Sequence, residues 1–239
     1  MIGKLLRHDT LQPAPAAGLA SAAPAPAHKD PLARARIGGK EVFHRLYAGM
    51  KNDKGVQVES MLCVLGALSG YACQAEVRAI GVAKNLPDDA VFQIVTGADG
   101  ARYYAGELLN QPLLNAEPSL WGMVGAAARA AGATTLPDPH ELFRHVATSL
   151  GSDAFGMPRV PPQHKAGDTP FGYLRQLWPL LFPLVRTVCP APALWPVVFG
   201  VAIEETIQSA QGSIDPVLAF TIVMEAAVPM SRVDLGLLD

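Results

Sequence analysis

Residues 177–185, Leu-Trp-Pro-Leu-Leu-Phe-Pro-Leu-Val, carry no polar side chain, and Pro179 and Pro183 stand four apart within them. A surface helix shows a polar face. This segment has none, so the sequence predicts burial on every side, in a kinked central core helix or a buried subunit interface. Nine residues fall well short of the roughly 20 needed to cross a bilayer. The apolar stretches at 197–203 and 217–224 are also too short, so no transmembrane segment is expected.

Half of the 239 residues are hydrophobic and 17% are charged, enough for one large domain or two small ones. A formal net charge of −2 gives no global electrostatic reason to bind nucleic acid. The charge is uneven, with nine Lys or Arg against five acids through residue 60. From residue 204 onward there are six acids and a single base, Arg232. The bland explanation is that these ends face each other or solvent.

The cysteines are Cys63, Cys73 and Cys189. If Cys63 and Cys73 share a helix, ten residues at 1.5 Å rise set them about 15 Å apart, beyond disulfide reach. A sparse, odd count fits a reducing compartment. The first residues lack the apolar run of a secretory signal, so a cytoplasmic location is expected.

Pro13–Ala27 is almost wholly Pro, Ala, Gly and Ser, which predicts a flexible N-terminal arm over residues 1–28. Residues 29–239 are expected to form one helical domain. From Lys40, Val42, Phe43, Leu46, Tyr47 and Met50 make an apolar helical stripe. A second helix is predicted over 57–83. Its middle holds Gly66 and Gly70, so it should gain close approach from a neighbour and lie centrally. Residues 91–96 and 101–105 flank Gly97-Ala-Asp-Gly100, a hairpin signal. Further starts are marked by Ser119, Asp138-Pro139, Thr169-Pro170 and Asp215-Pro216. A helix from about Ala193 should close at Gly212, and the last should end before Pro229. The predicted fold class is mainly α: a single-domain, multi-helix bundle with one β-hairpin near 91–105.

Site motifs are sparse. Gly38-Gly39-Lys40 lacks the leading glycine and the hydroxyl of a phosphate loop, and Gly66-Ala-Leu-Ser-Gly70 has its serine one place late for a nucleophile elbow. His140 and His145 are five apart, about 140° round a helix, where zinc proteases need four. Glu41-Val-Phe-His44 occurs once, although carboxylate-bridged metal bundles repeat it. Cys189-Pro190 is explained by helix termination. No metal or cofactor is expected. Glu204, Glu205 and Glu225 lie in apolar helices. A carboxylate facing the core there would have a raised pKa and could act as an acid or base; Glu204 can instead turn outward, and a buried partner such as an arginine is the other alternative. Residues 152–168 form a long irregular segment, a type that is often functional, and its candidates are Arg159, His164, Lys165 and Asp168, with Asp153 beside them.

Three function classes follow. A soluble protein-interaction or scaffolding module, self-associating as a homodimer or meeting another protein partner, ranks first, because nothing catalytic is needed to account for the residues. A binder of a small apolar ligand between proline-bent helices ranks second, with Trp178, Phe182, Trp195 and Phe199 as lining candidates. An enzyme with a site assembled from distant residues ranks third.

Overall fold

The computed structural model of the protein describes residues 30–235. The expected N-terminal arm lies outside them. The first helix, α1 (Pro31–Met50), begins nine residues earlier than Lys40. Asp30 caps it by accepting from Leu32 N, and Pro31 fits the first turn, where no intrahelical N–H partner exists. Gly38 and Gly39 argue against a helix by propensity, but packing overrides this. A Cβ at Gly38 would stand 2.7 Å from Val188 Cγ2, and one at Gly39 2.6 Å from Val198 O.

Helix α2 (Val58–Ala83) is the central element. It packs against three later helices: α7 (Pro170–Val188), α8 (Trp195–Ser209) and α9 (Pro216–Met230). Its glycines make the approach to α9 close, as the sequence predicts. A Cβ at Gly66 would stand 2.5 Å from Val223 O, and one at Gly70 would overlap the Ala227 carbonyl. Helix α1 lies over α8 on the outside.

A short helix, α3 (Asp88–Val91), precedes the hairpin, so Val91 belongs to a helix rather than a strand. Strands β1 (Gln93–Thr96) and β2 (Arg102–Ala105) pair antiparallel with Ile94 opposite Tyr104. A lone hairpin is marginal in water, and this one is supported by the chain after α9. Tyr104 N donates to Arg232 O at 2.8 Å, and Tyr103 bridges to Val233. Helix α4 (Glu107–Asn110) runs into a π-helical turn over Gln111–Asn115, neither of which the sequence pattern marked. Then follow α5 (Leu120–Ala130) and α6 (Pro139–Ser149). Ser119, Asp138, Thr169 and Asp215 each cap the helix they precede. Helix α9 runs on through Pro229 instead of stopping before it, and closes with Ser231 N on Ala227 O at 2.9 Å.

The expectation for 177–185 is corrected in part. Helix α7 is a surface helix that buries only Pro170, Leu174, Trp178, Leu181, Val185 and Val188, one face at helical spacing. Pro179, Leu180 and Pro183 are exposed. Proline has no N–H, so on the outer face its missing hydrogen bond leaves a carbonyl that water can satisfy. No single helix among the described residues is long and apolar enough to cross a membrane.

Candidate functional site

The irregular segment between α6 and α7 is fastened by polar contacts along its length. Near its end, Gln57 Nε2 donates to Lys165 O at 3.0 Å and Gly167 N donates to Ser60 Oγ at 2.8 Å. His164 Nδ1 and Glu59 Oε1 are 2.8 Å apart. At its centre, Arg159 meets two carboxylates. Its backbone N–H donates to Glu225 Oε2, and its Nε and one terminal nitrogen donate to Glu225 Oε1 at 2.9 and 2.7 Å. Its other terminal nitrogen reaches Glu141 Oε1 at 2.7 Å.

Each group is where its local sequence puts it. Glu141 occupies the first turn of α6, where the helix dipole favours an acid. Glu225 is buried in the apolar α9. A buried carboxylate needs charge-assisted partners, and the loop arginine supplies them. The Arg159 guanidinium holds the Glu141 carboxyl below its ordinary range. The two carboxylates in turn raise the arginine further, so both Glu141 and Arg159 are charged at neutral pH.

This trio lines a cleft of about 310 Å³. The floor is apolar: Trp121 from α5, Leu142 from α6, and Phe220 and Met224 from α9. Trp121 and Phe220 meet edge to face with centroids 4.8 Å apart, which fixes both rings. Thr221 lies on the same wall, its hydroxyl already donating to Val217 O at 2.8 Å. The volume sits at the small end of ligand pockets, which run from roughly 300 to 1,000 Å³. Two carboxylates face one guanidinium here, so these three lining groups carry a formal charge of −1.

The sequence candidates divide. Arg159 lines this cleft. His164, Lys165 and Asp168 line a second one of about 290 Å³ on the other side of the same segment, against Ile222 of α9. Trp178, Phe182, Trp195 and Phe199 line neither cleft. They pack on one another: Trp178 stacks on Phe182 at 4.3 Å, and Trp195 meets Phe182 edge-on at 4.9 Å. Trp195 Nε1 is satisfied by Cys189 O at 3.0 Å. These four fill the junction of α7 and α8.

Reasoning from sequence did not single out Trp121, Phe220 or Glu141 as site residues. Glu225 did give a signal, because an acid in an apolar helix asks for a partner. Among the described residues, no three His, Cys, Asp or Glu side chains are placed to hold a metal ion. Burial pushes the Cys63 thiol up to about 12 and the Cys73 and Cys189 thiols upward as well, which works against nucleophilic use. No family model, curated protein or solved structure matches the chain.

Proposed function

We propose that the protein is a binding module for a small organic cation with an apolar ring or chain, seated in the cleft over Trp121 and Phe220. One observation carries this: two aromatic rings line the same cleft as two carboxylates and one guanidinium. An ammonium group gains from the excess carboxylate and from the face of a tryptophan. An anion with the same apolar body meets net repulsion. Asp138, the N-cap of α6, also offsets the positive end of that helix.

Titration calorimetry with tryptamine and indole-3-acetate tests the proposal, because these share a ring and differ in charge. Tryptamine gives a saturable heat and indole-3-acetate does not. Glu141→Gln weakens tryptamine about tenfold. Equal binding of both compounds, or of neither, contradicts the proposal.

A second reading, the interaction module expected from sequence, is supported by one flank of α7. Tyr173, Leu177, Leu180 and Leu184 follow one another at spacings of four, three and four, and all are partly or fully exposed. That spacing is the seam by which helices pair. Light scattering at micromolar concentration tests self-association. A mass of twice 25.2 kDa supports a homodimer, and 25.2 kDa unchanged on concentration removes it.

A further inference from the structure

Arg232 follows directly on α9 and is only 9% exposed. Among the described residues, its guanidinium has neither a hydrogen bond nor an ion pair. The other described arginines that are buried or half-buried all have acceptors. Arg45 has Glu41, Arg78 has Asp88, and Arg34 has the carbonyls of Val188 and Thr187. Arg232 has only the face of Phe143, with Cζ 5.4 Å from the ring centroid. Asp234, the nearest acid in sequence, is turned to Tyr104 Oη at 2.9 Å and to Arg102 at 3.9 Å.

The backbone that carries this side chain is held from both sides. Fully buried Gln74 donates through Nε2 to Ser231 O at 2.8 Å and Val233 O at 2.9 Å. Arg232 N donates to Pro229 O, and Arg232 O accepts from Tyr104 N. The backbone at this position is therefore fixed, and the cation it carries has no counter-charge among the described residues. Burying a charge unpaired is strongly unfavourable, and an arginine cannot escape by losing its proton at neutral pH. Burial lowers it only to about 10. The site is not sealed. Asn110 Oδ1 is the one unpartnered side-chain N or O atom closed off from solvent among the described residues, so the guanidinium nitrogens each keep contact with water.

We propose that Arg232 anchors an anion site, separate from the cleft, where its planar fork takes a carboxylate or phosphate group above Phe143. An oxyanion there pairs the charge and accepts two parallel hydrogen bonds. Such a group has two possible sources: a small anion from solution, or the carboxylate of Asp239, seven residues further along the sequence.

The test titrates the full chain with inorganic phosphate and, separately, acetate at fixed ionic strength, following the backbone N–H resonances of Ser231, Arg232 and Val233, which every substituted protein keeps at these positions. The expected result is a saturable shift of these resonances in the wild type. If Asp239 already fills the site, the wild type is silent and Asp239→Asn shows the saturable shift, which assigns the same site to an internal carboxylate. Silence in both proteins overturns the proposal. So does a drift that never saturates and persists in Arg232→Met, which marks an adventitious ion only. Arg232→Met loses the saturable response while keeping its near-ultraviolet circular dichroism. Should it fail to fold, Arg232→Lys serves instead. It keeps the charge without the fork and binds about tenfold more weakly. Unchanged affinity in that variant also overturns the assignment.

Discussion

Glu225 is the acid that α9 can bury because a loop arginine comes to meet it. Its carboxylate accepts from three Arg159 nitrogens, one of them the backbone N–H, so a single side chain fixes both the loop's path and its charge. Glu225→Ala leaves the arginine with Glu141 alone, at a loss of about 2 kcal/mol, a figure reduced because Arg159 is itself partly exposed. Thermal denaturation then shows a melting point about 4–8 °C lower, and limited proteolysis shows faster cutting within 152–158. Glu76 is a different case. It is half-buried on α2 with no hydrogen-bond or ion-pair partner among the described residues, and burial pushes its carboxyl up to about 7. The folded state thus keeps a proton that the unfolded chain releases near 4.5. Its contribution to stability is full below about 4.5 and is lost as pH rises to about 7. Glu76→Gln removes this slope and raises the melting point at pH 8 by about 2–4 °C, which melts across pH 4–8 check. At this scale the sequence showed which residues were out of place, such as Glu225, but not what they meet. Trp121 and Phe220 are 99 positions apart, and no local pattern brings their rings together.

At the scale of elements, caps and small-residue stretches were legible because they are local. The Ser119, Asp138, Thr169 and Asp215 caps are formed within three residues of the side chain that makes them. The glycines of α2 announced a close neighbour, though not that it is α9. In a solvent-exposed helix, Gly→Ala stabilises by up to about 1 kcal/mol. Gly70→Ala reverses that sign, because the new methyl meets the Ala227 carbonyl. A loss of about 3 kcal/mol in chemical denaturation is expected. A gain would mean that α2 and α9 sit further apart. Helix α1 and the π-helical turn were hidden for opposite reasons. Gly38 and Gly39 mask a helix that long-range packing restores, and Pro112 sits inside a helical turn that its presence argues against. Helix α7 was misjudged because the demand for a polar face ignores how prolines behave on a surface. Pro179 and Pro183 face outward, and the buried stripe beneath them is an ordinary one.

The whole molecule is a helix-wrapped core around α2, with a loop that α6 and α9 hold in place and a cleft on either side of it. Fold class followed from period and composition. The site did not, because its walls come from α5, α6, α9 and the loop, and only the tertiary fold brings these together. The four aromatics singled out by sequence and the two that line the first cleft offer a direct contrast, since the three tryptophans of the chain divide between them. Trp178 and Trp195 belong to the packed cluster, and Trp121 belongs to the cleft floor. Their indole N–H resonances can therefore be followed separately while tryptamine is added. The account predicts that the Trp121 resonance shifts saturably while those of Trp178 and Trp195 stay in place. Movement of Trp178 and Trp195 with Trp121 unmoved, or no saturable movement at all, would contradict it.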